Sequence, residues 1–286
     1  MTIDLMTISI PIDTDTAEEV TEFLQYAIQE DTLNYELLLN MDVLVDVSAR
    51  GFLCAAYKGD ELVGVASAFD MIGLHVYEWS MVVHPDYRGE KIGMRLYAEV
   101  QKQLELRDAN EDTALTFDAR EVPRKFLASV GYHLQFSEAT MQASSAIGNE
   151  KNFTLIRLVE SNHPDLKKVL MQAFGDTEAE AEALIDWNLE HPKCHMFEYR
   201  EKDKTIATVT AVESDHALWV TALATLPMHQ GKGIGTTLLA FVKHLAAQME
   251  KAFVLLDVEL ENEEALKLYE RAAFTKQHQV DFYQKS

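Results

Sequence analysis

The sequence predicts an α+β protein, with mixed α/β content, made of two copies of one domain, each a central mixed, mostly antiparallel β-sheet flanked by helices. Three observations lead there. The turn Arg88-Gly89-Glu90-Lys91-Ile92-Gly93 returns as Gln230-Gly231-Lys232-Gly233-Ile234-Gly235, an offset of 142 residues. The same offset carries Pro85 onto Pro227, Arg120 onto Asn262 and Gly131-Tyr132 onto Ala273-Phe274. In each copy a β-rich segment (74–83, 217–226) runs through a proline into the glycine turn and then into an apolar-periodic helix. A chain of 286 residues has room for two such domains, at the usual size of about 100 to 200 residues each.

Taken in order, Thr16-Ala17-Glu18-Glu19 reads as a capping box ahead of a helix with Val20, Phe23, Leu24, Ala27 and Ile28 on one face. Residues 51–57 and 62–69 read as strands of a hairpin closed by Lys58-Gly59-Asp60-Glu61. After the first glycine turn, Ile92, Leu96, Val100 and Leu104 keep helical spacing. A strand over 114–118, a short helix over 123–130 and a strand near 138–142 follow. The small, polar run 143–150 has no periodicity and marks the expected boundary, giving domains 1–146 and 150–286. The second copy repeats the plan: a strand at 154–159, helices at 164–174 and 178–189, and strands at 196–199, 206–212 and 218–225. Its glycine-turn helix runs from about 233 to 249, followed by a strand at 253–258, a helix at 263–272 and a closing strand at 280–283.

Composition narrows the function. Hydrophobic content of 48% and charged content of 25% are those of a soluble globular chain, and no apolar run approaches the roughly 18 residues of a membrane span. The first residues lack the basic and apolar regions of a secretory signal, so a cytoplasmic location is expected. A net charge of −22 argues against nucleic acid and anionic membranes as partners and leans towards cationic substrates. The acidity is uneven, with 25 acidic and 10 basic residues up to Gly148. The two cysteines, Cys54 and Cys194, are far apart and read as reduced and structural. The densest histidine cluster, His191 to His195, lacks further ligands at usable spacing, so no metal is expected.

A glycine turn that opens a helix presents backbone N–H groups and the positive end of the helix dipole to an anion, so the ligand should carry phosphates. Neither copy has the Gly-Lys-Ser/Thr ending of a P-loop or the three-glycine pattern of a dinucleotide fold. The second copy instead resembles the GNAT superfamily of acyl-CoA-dependent N-acetyltransferases. Their pyrophosphate motif is Q/R-x-x-G-x-G/A after a strand ending in V-x-P, here Gln230 to Gly235 after Thr225-Leu226-Pro227. Asn262, Ala265, Leu268, Tyr269 and Phe274 follow the family's downstream N-x-x-A-x-x-L-Y-x-x-x-G-F pattern, with Ala273 in place of the glycine. The first copy is looser. Val83-His84-Pro85, Arg88, Gly89 and Gly93 match, whereas Lys91 replaces a glycine, Arg120 the Asn and Leu127 the Tyr.

The resemblance implies acetyl-CoA as cosubstrate, two GNAT-like domains and acetyl transfer to a primary amine by direct attack in a ternary complex. It places the backbone of Leu223, Ala224 and Thr225 along the pantetheine arm, and Gly231, Gly233 and Gly235, with the amides around Lys232, Ile234 and Thr236, on the pyrophosphate. It makes Tyr269 the acid for the departing thiolate; a phenol of pKa about 10 suits a thiol of about 8.5. Asn262 either bonds the pantetheine arm or caps the next helix. Val83, Arg88, Gly89, Lys91 and Gly93 would form the corresponding binding turn of a degenerate first domain. Glu213, Asp215, His216, Asp257 and Glu259 are all candidates for the general base, and Glu78 is a weaker one in the first copy. Two other readings stay open: both domains active on different acceptors, or a non-catalytic acyl-CoA sensor or scaffold. The acceptor, a small-molecule amine, and the oligomeric state are not encoded in these motifs.

Overall fold

A computed structural model describes residues 3–70, 73–117, 121–148, 155–158 and 164–285. The chain forms two compact units: one runs to Ser137 and includes Val280 onwards, the other runs from Glu138 to Gln279. Both are α+β, with a mostly antiparallel mixed sheet flanked by helices.

The first unit contains β1 (Asp4–Ser9), α1 (Thr14–Asp31), α2 (Tyr35–Leu38), α3 (Met41–Leu44), β2 (Gly51–Lys58), β3 (Glu61–Asp70) and β4 (Val76–Val83). It continues with α4 (Ile92–Leu106), β5 (Glu111–Phe117), α5 (Glu121–Ser129) and the first half of β6 (Tyr132–Ser144), and it ends with the last residues of β12 (Thr275–Lys285). Its strand order is β1-β2-β3-β4-β5-β12-β6, in which β4 and β5 are parallel. Strand alternation supplies the two layers of its core. Phe52, Cys54 and Ala56 pack with Leu96 and Val100 of α4, while Leu53 and Ala55 pack with Phe23 and Leu24 of α1.

The second unit contains β7 (Leu155–Arg157), α6 (Pro164–Phe174), α7 (Glu178–Glu190), β8 (Cys194–Glu201), β9 (Lys204–Glu213), β10 (Ala217–Thr225), α8 (Ile234–Gln248), β11 (Phe253–Glu259) and α9 (Glu263–Arg271). Its strand order is β12-β6-β11-β10-β9-β8-β7, with β10 and β11 parallel. The capping box that starts α7 is formed by Thr177 and Glu180, and Leu166, Leu170, Ala181 and Ile185 of α6 and α7 bury against Met196.

Several sequence expectations are corrected. The cap of α1 is Asp13, whose carboxylate accepts from Thr16 N at 2.8 Å, so Thr16 lies inside the helix. The division between units falls at Ser137/Glu138 and not in the run 143–150. Ala143 and Ser144 look like linker residues by composition, yet they pair with Val254 and Phe253 of β11. Nor do residues 280–286 belong with the second unit: Val280 to Gln284 pair with Phe117 to Thr113 of β5. A single long strand serving two units leaves no mark in composition. β1, α2 and α3 were not expected from the sequence, because the first is mixed in polarity and the other two are one turn each. Of the strand expected at 154–159, the described part is Leu155–Arg157. Asp118, Arg120 and residues 149–154 lie outside the described residues.

Removal of Val280 to Ser286 should therefore weaken the first unit. In a chain ending at Gln279, the amides of β5 are expected to exchange with solvent about tenfold faster or more, while those of α8 hold their protection. Mass-resolved hydrogen exchange checks this, and equal loss in both units would contradict it.

Candidate active site

β10 and β11 pair only at Ala217–Trp219 with Phe253–Leu255, although they continue to Thr225 and Glu259. The strands part where β10 bulges: its register with β9 shifts between Thr221 and Ala224, and Ala222 takes φ 45°. A bulge leaves a residue unpaired and bends its strand. The result is a cleft of about 1160 Å³ walled by Val220 to Thr225, the glycine turn, β11 and α9, with Phe174 and Glu138 at its margin.

The turn is built for an anion. Gly231 (φ 74°) and Gly233 (φ 81°) adopt the left-handed conformation that favours glycine, and Gly233 caps α8. A Cβ at either would meet nothing within 4 Å, so torsion rather than crowding demands glycine, and the cradle is open. The first amide of the turn to bond a backbone carbonyl is Thr237 N, to Gly233 O at 3.0 Å. Among the described residues the amides of 231–236 bond no backbone carbonyl, which suits pyrophosphate oxygens. Gln230 has a structural task, donating from Nε2 to Thr225 O at 3.2 Å. Gly235 is needed for close approach: its Cβ would sit 2.9 Å from Leu268 Cδ2 of α9.

α9 brings Tyr269 and Asn262 to the same cleft. Burial raises the phenol of Tyr269, so it holds its proton throughout the neutral range. Asn262 caps α9, its Oδ1 accepting from Ala265 N at 3.1 Å, which leaves its NH2 to serve a ligand. The helix ends on the ammonium of Lys243, which donates to Ala272 O and lies 4.9 Å over the Phe274 ring.

Leu223, Ala224, Thr225, Gln230, Gly231, Gly233, Ile234, Gly235, Thr236, Asn262 and Tyr269 thus line one cleft; Lys232 belongs to the turn without lining it. Of the candidate bases, Asp257 and Glu259 line the cleft. Glu213, Asp215 and His216 sit at the opposite end of β10, where Glu213 pairs with Leu218 and meets His195 Nε2 at 2.5 Å. The Asp257 carboxyl is open to the cleft but crowded by its walls, and this desolvation raises its pKa against the Thr140 hydrogen bond and the charge of His278. Sequence reasoning missed the bulge, Phe174 and Glu138. Nothing in Thr221-Ala222-Leu223 departs from an ordinary strand, whereas Glu138 is the partner of Glu259 and could have been found by extending the repeat into the last strands.

The first unit differs at each of these points. β4 pairs with β3 from Tyr77 to Val83 without a shift, and it stays beside β5 through Trp79. Gly89 is left-handed at φ 89°, but Lys91 occupies the other left-handed position at φ 66°, a conformation that costs a side chain about 1 kcal/mol. Arg88 donates to Val83 O at 3.2 Å, matching Gln230, and its guanidinium is held by Asp31, which raises its pKa. Where the second turn has Lys232 the first has Glu90, paired with Lys58 at 2.9 Å. Gly93 has Val83 3.7 Å from where its Cβ would lie. Leu127, in the place of Tyr269, is buried in the core. Glu78 lies beside Trp79 on β4, pairs with Phe69 and is raised by burial.

Among the described residues no group of three or more His, Cys, Asp or Glu side chains is placed to hold a metal, and no helix is long and apolar enough to cross a membrane. Cys54 and Cys194 are free and buried; burial pushes the Cys54 thiol up to about 11, which makes it unreactive.

Comparison with known proteins agrees with this geometry. The sequence model of the acetyltransferase (GNAT) family matches residues 14–132 and again 158–274. A GCN5-related N-acetyltransferase from Sphaerobacter thermophilus has a similar structure, with a TM-score of 0.72 at 16% identity over 98% of this chain and 95% of that one. A tandem GNAT protein from the clavulanic acid biosynthesis pathway gives 0.68 at 12% identity, covering 98% of both chains. A GNAT-family acetyltransferase from Colwellia psychrerythraea gives 0.60 at 16% identity, with both chains fully covered. No curated protein sequence matches the chain.

Ala222→Gly relieves the left-handed strain at the bulge and is expected to raise stability by about 1 kcal/mol, or about 2–4 °C in Tm. A thermal melt that shows a lower Tm would mean that the bulge is not held in this conformation.

Proposed function

The chain belongs to the GNAT family of acetyltransferases, and on that premise we propose that its second unit transfers the acetyl group of acetyl-CoA to a small-molecule amine, with a cationic amine preferred. Family membership gives acetyl-CoA-dependent N-acetyltransferase chemistry; the single observation that supports its assignment to this unit is the cleft at the β10 bulge. There the open amides of the glycine turn, the edge of Leu223–Thr225 that β11 leaves unpaired and the Tyr269 phenol meet.

In this reading the amides of 231–236 hold the pyrophosphate, with Lys232 adding positive charge nearby. The backbone of Leu223 to Thr225 aligns the pantetheine arm, and one N–H of this strand polarises the thioester oxygen. The acceptor amine attacks directly within the ternary complex, and Tyr269 protonates the thiolate as it leaves. The acidic surface favours a cationic acceptor. Three features argue against a second working site in the first unit: a regular β4, Glu90 at the turn and a buried Leu127 where an acid is needed. Tyr269 lining the cleft argues against a purely binding role.

Calorimetric titration with acetyl-CoA should give about one site per chain. Gly233→Glu, which puts a carboxylate in the cradle and strains the left-handed turn, should weaken binding at least about tenfold. Binding of two equivalents, or full binding by the variant, would overturn the assignment to the second unit. Tyr269→Phe should lower kcat by about 10²-fold with acetyl-CoA affinity unchanged. Steady-state kinetics read this directly, and an unchanged kcat would remove Tyr269 from the mechanism.

A further inference from the structure

The two units supply an internal control for the sheet face beneath the cleft. In the second unit Asp257 pairs with Thr140, and Glu259 pairs with Glu138. At the same offset of 142 residues the first unit pairs Leu115 with Phe282 and Phe117 with Val280. His278 of β12 corresponds to Phe136, which stacks on Phe282 with centroids 4.4 Å apart. At these five positions the sheet face carries apolar side chains in one copy and ionisable or hydroxyl side chains in the other. The fold does not require the polar set, and opposed like charges on paired strands destabilise a sheet.

Within this set the Asp257 carboxylate is held in place. Thr140 donates its hydroxyl to Asp257 Oδ1 at 2.5 Å, and Asp257 opens into the same cleft as Tyr269 and the bulged strand. We infer that Asp257 is the catalytic base that takes the acceptor's proton, with Thr140 as its positioning residue. The assignment rests on acetyl transfer taking place in this cleft. The other ionisable groups around it are Glu138 of β6, Glu259 of β11 and His278 of β12, with Tyr269, Glu264, Lys267 and Arg271 from α9 and His229 just before the glycine turn. The cleft-lining parts of β10 and α6 contribute none.

The steps balance as follows. An alkylammonium gives one proton to the Asp257 carboxylate, and the freed lone pair attacks the thioester carbonyl carbon as the C=O π pair moves onto oxygen. The oxyanion collapses, the C–S bond breaks, and the thiolate takes the proton of Tyr269. The nitrogen, now carrying one proton too many for an amide, returns one to the tyrosinate, and Asp257 releases its own to solvent. Because burial raises the Asp257 carboxyl, activity should be lost on the acid side of neutral at a higher pH than for an ordinary aspartate, as the base becomes protonated.

The test compares wild type with Asp257→Asn on two acceptors at pH 7: 1,4-diaminobutane, which arrives protonated, and hydroxylamine, which is already neutral. Asn keeps an oxygen to accept from Thr140, and acetyl-CoA affinity by calorimetry reports whether the fold and the cosubstrate site survive. The expected result is a loss of about 10²-fold or more in kcat/KM on the diamine, at least tenfold larger than on hydroxylamine, with acetyl-CoA affinity unchanged. The acid limb of the diamine pH profile should disappear as well. Equal losses on both acceptors, or no loss on the diamine with the acid limb intact, would overturn Asp257 as base while leaving transfer in this cleft standing. A wild-type protein that binds acetyl-CoA but acetylates neither acceptor, or that does not bind it, would overturn the transferase assignment to this cleft and the base with it.

Discussion

The cleft of the second unit depends on the parting of β10 from β11 after Trp219. Two parallel neighbours that give up their ladder expose backbone donors and acceptors, and such groups are costly unless water or a ligand satisfies them. The bulge at Ala222 forces the separation and brings the end of β10 to the turn that starts α8. From there the geometry propagates. The turn needs two left-handed glycines, Gly235 lets α9 lie close against α8, and α9 carries Tyr269 to the open strand. Each feature answers a local steric or torsional demand, and together they put the open turn amides, the β10 edge and the Tyr269 phenol along one cleft.

The first unit shows the same chain path with its parallel pair β4–β5 held through Trp79, two positions beyond the equivalent of Trp219. Its β4 keeps a continuous register, and Trp79 is committed to the core, donating from Nε1 to Asp112 at 2.7 Å. Trp79 stacks edge-on against Tyr132, with Tyr97 nearby, so aromatic packing occupies this part of the unit. The unit keeps the glycine turn because the turn also has structural work: Arg88, like Gln230, ties it to the strand before it. The turn therefore has a structural role in both copies, and its six residues distinguish the two copies less than the bulge and the phenol do.

Much of the fold was legible in the sequence. Helical spacing at Ile92, Leu96, Val100 and Leu104, and the breaker signals of Lys58-Gly59-Asp60-Glu61, report local constraints that act within a few residues, and α4 and the β2–β3 hairpin form where they predict. Most of the candidate cleft's lining was legible too, through Gln230 to Gly235 (apart from Lys232), Asn262 and Tyr269, because a left-handed turn and a helix cap leave only a few residue types available. The boundary between units was not legible. The run at 143–150 has the composition of a linker, but whether a strand continues is decided by the partner it meets, and Ala143 and Ser144 meet β11.

By itself the sequence determined the tandem architecture and the glycine turn that opens each long helix, and it singled out Tyr269 as the candidate acid, since these follow from residue types at fixed spacing. Only the tertiary structure decided that the second copy's strands open into a cleft, that Asp257 and Glu259 among the candidate bases line it, and that the chain's last residues complete the first unit's sheet. The reason is physical. A bulge, a splayed strand pair and a strand shared between units are properties of pairing over long sequence separation, and no short window of residues contains both partners.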